Sequence, residues 1–183
     1  MHIKKENIVE AAGKIIIKSG INALSIEELA KELRITEDKL SPYFKKRDDI
    51  LVLILTNLEN EINELIIDPS TRSWSPDNKL QYLFRNLHKL FNKKPYYLTI
   101  IFTTELTEND ENLQRLLLKI KAIAKIHLSQ IINQGKKEHN FKTNQTTRNL
   151  VHYILGSFRD LMNEYRTINK MTKDIEKLRE LRE

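Results

Sequence analysis

Cysteine is absent from the 183-residue chain, which removes disulfides, thiol nucleophiles and thiolate metal sites together. Glycine and proline number only four each. A strand-rich chain needs many more turn residues than that, so long helices with short joints are expected and the fold class is all-α. No apolar run approaches the roughly 20 residues of a membrane span, and the start Met1-His2-Ile3-Lys4-Lys5 lacks the apolar stretch of a signal peptide. The expected location is cytoplasmic. Charge of one sign is scarce where nucleic-acid binding would need it. The formal net charge is +6, but residues 1–49 carry ten cationic against nine anionic side chains, and the excess lies in 111–183, fifteen against eight. Total charge is therefore no evidence for a DNA-binding surface at the N-terminal end.

What is present is helical periodicity. Ile8, Ala11, Ala12, Ile15 and Ile16 mark a first helix over about 3–18, stopped by Gly20. Ser25-Ile26-Glu27-Glu28 fits a capping box, in which the Ser hydroxyl and the Glu carboxylate each satisfy a free amide at a helix start. A second helix over about 26–33 follows. Thr36 can cap a third over about 37–43, with Glu37 and Asp38 at its positive end. A fourth begins near Asp48 and runs through Ile66, and 68–74 reads as a linker. Ser75-Pro76 restarts a helix, Pro95 opens another through Leu106, and a long one over about 110–134 ends at Gly135. Residues 144–166 form a further helix, and a short charged one follows from about Lys173.

Three short helices, the last two joined by Leu33-Arg34-Ile35-Thr36, are what a helix-turn-helix demands: one helix braces while the next enters the major groove. Ala11-Ala12, Gly20, Leu24-Ser25, Leu29-Ala30, Ile35-Thr36, Leu40, Tyr43-Phe44 and Asp48-Asp49-Ile50-Leu51 stand together at the spacings of the tetracycline-repressor (TetR) family. The chain resembles that family over about residues 6–51. Beyond them it resembles the family only in length and in carrying an apolar helical bundle.

The resemblance implies a helix-turn-helix DNA-binding domain in residues 1–47 and a ligand-binding and dimerisation domain in 48–183. It matches Ser25 to the polar residue that opens the brace helix and meets a phosphate, and Thr36 to the cap of the recognition helix. Lys39, Ser41 and Tyr43 fall on positions that contact bases or backbone, and Arg47 takes the place of a phosphate-binding lysine. Glu37-Asp38, Ser41 and Pro42 depart from the family pattern. Pro42 removes a backbone donor, so a shortened or distorted recognition helix is expected.

Phe84, Phe91, Tyr97, Ile101, Phe102, Ile120, Ile123 and Tyr153 suggest an apolar bundle interior. His88 lies at the edge of the Phe84/Phe91 stripe and His127 on the apolar face of the long helix. The resemblance implies that some of these ten residues line a cavity for a small, largely apolar effector, whereas ordinary core is the competing reading for each. Leu150, Ile154, Phe158, Leu161 and Tyr165 exceed what one core contact needs, so their helix and the one after it are expected to form a homodimer seam, with Gly156-Ser157 permitting close approach.

None of the five histidines has a second ligand at a metal-binding spacing, and no phosphate loop, Ser-His-Asp order or paired carboxylates emerge. Neither a metal, a cofactor nor an enzymatic activity is expected. The function implied is a ligand-responsive transcription regulator, a repressor released from its double-stranded DNA operator by its effector. The alternative is a helical interaction protein of the same fold that has lost operator binding, motivated by Glu37, Asp38 and Pro42.

Overall fold

A computed structural model describes residues 4–70, 73–103 and 110–180. Among them are seven α-helices and no strand: α1 (Lys5–Ser19), α2 (Ile26–Leu33), α3 (Arg47–Ser70), α4 (Pro76–Lys93), α5 (Tyr96–Phe102), α6 (Glu111–Lys137) and α7 (Thr147–Glu180). Tight 3-10 turns occupy Ile21–Ala23 and Glu37–Lys39.

Local chemistry explains most of the boundaries. α1 ends at Gly20, whose φ of 86° lies on the left-handed side that side chains resist. Ser25 caps α2, its Oγ accepting the Glu28 amide at 3.1 Å. The reciprocal half of the expected capping box does not form, because the Glu28 carboxylate turns to the Lys31 ammonium at 2.8 Å. Pro76 opens α4 at its first turn, behind Ser75.

Several boundaries differ from the sequence expectation. α3 continues through Asp68-Pro69-Ser70, so helix takes the first three residues of the expected linker. Gly135 does not stop α6, which runs on to Lys137. A Cβ at Gly135 would sit 2.2 Å from the Phe141 ring, so this glycine serves close packing, and the left-handed residue past the helix is His139 (φ 59°). The helix expected over 144–166 and the short one after it are a single helix, α7. The helix expected from Pro95 through Leu106 ends at Phe102, where Thr103 is extended, and residues 104–106 lie outside the described residues.

The larger of two buried clusters joins the helix-turn-helix to the helices behind it. Ile8, Val9, Ala12 and Ile16 of α1 meet Leu29 of α2, Leu51, Ile54, Leu55 and Leu58 of α3, Tyr97 and Ile100 of α5, and Leu113 and Leu117 of α6. Each fully buried Leu, Ile or Val among them contributes about 1.5–3 kcal/mol. A second cluster joins Leu83 of α4, Leu128 and Ile132 of α6 and Val151 of α7. α3 therefore has the helix-turn-helix packed on one part of its length and the bundle on another.

Candidate nucleic-acid interface and effector-binding bundle

The segment after α2 is anchored by its apolar residues and exposes its polar ones. Leu40 is fully buried and Phe44 nearly so, while Thr36, Lys39, Ser41 and Tyr43 are exposed, Tyr43 by 65%. In place of the expected helix over 37–43 stands one 3-10 turn followed by further turns. Helical bonding nevertheless continues: the Ser41 amide donates to the Glu37 carbonyl at 2.9 Å and the Phe44 amide to the Leu40 carbonyl at 3.0 Å. Pro42 has no N–H to offer the Asp38 carbonyl. The Ser41 hydroxyl donates there instead, at 3.3 Å, so the proline is accommodated by its neighbour.

Ser25 is half-buried and engaged in its cap. Thr36 precedes the 3-10 turn without a side-chain capping bond. Arg47, at the start of α3, reaches Asn22 Oδ1 (3.5 Å) and Asp48 (3.5 Å). The Asp49 carboxylate accepts the Lys45 and Lys46 amides at 2.6 and 3.0 Å, which fixes how the chain enters α3. Leu40 and Phe44 seat the turn on the core residues of α1, α2 and α3, and Arg47 is tied to Asn22, three residues before Ser25.

In the bundle, Phe91, Tyr97 and Ile120 are core residues, and Ile101, Phe102 and Ile123 pack half-buried against the same core. Phe84 packs on the second cluster. Phe158 joins the two, its ring 5.3 Å from Phe84 and 6.2 Å from Phe91. Tyr153 (71% exposed) and His88 do not join this group and lie on the surface. A surface hollow of about 430 Å³ on α7 is lined by Asp160, Asn163, Glu164 and Thr167, none of them among the expected lining residues.

His127 is buried on α6, and its Nε2 has no hydrogen-bond partner among the described residues. Burial, and then the charge of Lys79, push the ring's pKa below its ordinary 6.5, against a hydrogen bond with Gln130. The folded protein therefore holds His127 neutral. Its contribution to stability is complete above pH 6.5 and is lost as pH falls through the lowered folded value, at no more than about 1.4 kcal/mol per pH unit. Thermal unfolding followed from about pH 7.5 to 5.5 is expected to show a declining midpoint that His127→Leu flattens. An equal decline in both proteins would remove His127 as its source.

α7 turns a different face outward from the one anticipated. Leu150, Ile154 and Phe158, expected at a dimer seam, are half-buried against the chain's own α4 and α6. Val151, Leu155 and Met162 share that side, so the helix has one broad inner face. Among the described side chains of the expected seam only Leu161 is exposed (55%), one stripe with Tyr153 and Ser157 at four-residue spacing. The Tyr165 side chain lies outside the described residues. On α6, Leu118 and Ile126 are also exposed apolar residues.

Where the helix-turn-helix meets the bundle, sequence spacing gave no signal. A Cβ on Gly13 of α1 would fall 2.3 Å from the Tyr96 ring of α5, so the two helices touch there through the missing side chain. Beside this contact, Lys94 pairs with Glu61 of α3 at 2.6 Å and approaches Glu10 of α1 at 3.6 Å. Asn57 of α3 donates to the Tyr97 hydroxyl at 2.7 Å, and that hydroxyl donates to Glu61 at 3.1 Å. Burial above all pushes both tyrosine hydroxyls up. Lys46 forms a second link, pairing at 2.5 Å with Asp110 at the start of α6.

A helix-turn-helix seated on a long connecting helix, with a bundle of further helices behind it, is the fold of the TetR-family transcriptional regulators. No family model matches the chain. A 97-residue stretch is 29% identical to YuxN, an uncharacterized HTH-type transcriptional regulator of Bacillus subtilis (strain 168), and spans half of this chain but only a third of that relative. Solved structures cover nearly the whole chain. The fatty acid degradation regulator FadR from Bacillus halodurans matches with a TM-score of 0.79 over 92% of this chain and 87% of its own, at 16% identity. FadR from Bacillus subtilis, solved with stearoyl-CoA, gives 0.75 over 91% and 89%, at 18% identity. A TetR transcriptional regulator from Legionella pneumophila gives 0.74 over 92% and 90%, at 20% identity. Identities this low establish the fold. Among the described residues no helix is long and apolar enough to cross a membrane, and no cluster of side chains is arranged to hold a metal ion.

Proposed function

We propose that the chain is a ligand-responsive transcription regulator, with residues 1–47 binding DNA and residues 48–183 binding an effector and a second copy of the chain. The observation that carries this reading is the turn after α2. Its apolar residues Leu40 and Phe44 are buried, while Lys39, Ser41 and Tyr43 all remain available to a duplex. Lys39 and Tyr43 are suited to base edges and backbone, and Arg47 and the capped start of α2 at Ser25 to phosphates. The protein acts as a repressor on a near-palindromic operator, which it binds as a homodimer.

The effector is a small, largely apolar molecule seated between α4, α5, α6 and α7, among Phe84, Phe91, Phe102, Ile123 and Phe158. The buried, unpartnered Nε2 of His127 suits one polar atom of such a ligand. The stearoyl-CoA bound by the similarly folded FadR supports an acyl or comparable apolar effector. Binding favours an arrangement in which the two recognition turns no longer match successive major grooves. Tyr153, Ser157 and Leu161 form the outward stripe of α7 on which two copies meet.

Lys39→Ala tests the interface directly. The variant is expected to lose about 1–3 kcal/mol of discrimination at one base position while its affinity for unrelated duplexes barely changes. Uniform weakening on all duplexes would assign Lys39 to a phosphate instead. If the wild-type chain shows no salt-dependent DNA binding even at low ionic strength, the regulator reading fails and an interaction protein of the same fold replaces it.

A further inference from the structure

We propose that Lys46 is a DNA-backbone contact held in reserve by Asp110, so that the start of α6 and the phosphate backbone compete for a single ammonium. The inference rests on the DNA-binding reading above and adds to it a residue and a regulatory contact. Lys46 belongs to the run Lys45-Lys46-Arg47, which follows the exposed turn and leads into α3. In this arrangement its Nζ lies 2.5 Å from Asp110 Oδ2 and 3.6 Å from Asp48 Oδ2, with Asp49 also close enough to act on its charge.

The two partners differ in freedom. Asp110 is 8% exposed, and its other carboxylate oxygen accepts the Asn112 and Leu113 amides at 2.9 and 3.1 Å as the N-cap of α6. It cannot leave without uncapping that helix. The Lys46 side chain is 57% exposed on a flexible four-carbon stem that carries a compact charge. An exchange therefore moves Lys46 alone. Water screens the exposed side of the pair, so a phosphate can take the ammonium over.

This places a charge from the effector-binding half against a cation of the DNA-binding half. Asp110 is fixed to α6, whose Leu113, Leu117 and Ile120 are buried in the core. A ligand that shifts the start of α6 shifts the competitor for Lys46 with it.

The test uses the full chain, random-sequence duplex DNA and salt from about 50 to 200 mM. Asp110→Asn keeps a good N-cap but removes the charge. It is expected to tighten DNA binding about two- to fivefold in the presence of Lys46 and to change nothing in the Lys46→Ala chain. Lys46→Ala alone should flatten the log–log salt slope by about one unit, a roughly threefold smaller change in affinity across that range. Lys119→Ala, which breaks an ion pair between α6 and α3, with Glu59 at 2.7 Å, should leave the slope unaltered.

Equal tightening by Asp110→Asn with and without Lys46 would mean only a general loss of negative charge, and would overturn the proposal. So would unchanged or weaker binding by a folded Asp110→Asn chain. In both cases the wild-type chain still binds DNA and the regulator reading stands. A wild-type chain that binds no DNA would remove both.

Discussion

Replacing Tyr153 and Leu161 together by glutamate is expected to yield a folded monomer whose operator affinity falls by about two orders of magnitude. Both residues are largely exposed on α7, so the substitution leaves the core of one protomer intact. At a two-fold axis the same patch meets itself. The variant would then bury unpaired charges of one sign, a cost of several kcal/mol that the interface does not repay. A monomer presents one recognition turn and reaches one half-site. Specific binding exceeds nonspecific binding by about 4–10 kcal/mol, and losing half of the site removes a large part of that margin. Sedimentation and operator titration read the two effects separately. A variant that remains dimeric places the seam elsewhere, and a wild-type chain that is monomeric at micromolar concentration removes the dimer from the account.

The second large effect is expected in stability. Tyr97 is fully buried where α5 meets α3, its ring centroid 4.7 Å from that of Tyr96 in an edge-on contact. Tyr97→Ala should cost about 3–5 kcal/mol, read as a lower denaturation midpoint. Tyr97→Phe keeps the ring and loses only the hydroxyl. Asn57 still donates to Glu61 at 2.6 Å and Lys94 still pairs with it, so this variant should cost only about 1 kcal/mol. Similar losses in both variants would mean that the polar network, rather than the ring, secures this joint.

The two results bear on the same mechanism from opposite ends. Tyr97 lies under the contact through which Gly13 of α1 rests on Tyr96 of α5, so it supports the seat of the DNA-binding half. Tyr153 and Leu161, at the proposed seam, would set the separation of two such halves. Regulation by an effector needs both a firm seat and a seam whose geometry can change.

How much of this was legible in the sequence depended on the range of the interaction. The cap at Ser25 and the proline start at Pro76 are local chemistry, and both stand where the spacing placed them. The shortening at Pro42 was legible for the same reason, although the remedy by the Ser41 hydroxyl was not. Gly135 misled because its role is set by Phe141, a residue outside the helix. The facing of α7 was not legible for a different reason. Apolar residues cover so much of its circumference that periodicity defines a helix without choosing an inner side, and the polar Ser157 between Tyr153 and Leu161 was the available hint. Lys46 and Asp110 lie 64 positions apart, and nothing in the spacing of either announces the other. Lys94 and Glu61 escaped notice likewise.

Selection of bound fragments from a pool of random duplex DNA is expected to enrich a near-palindrome whose half-sites are centred about one helical turn apart, or a multiple of it, with an affinity that falls steeply as salt rises. A pool that stays random after repeated rounds at low salt, from a folded and dimeric protein, would contradict the regulator reading.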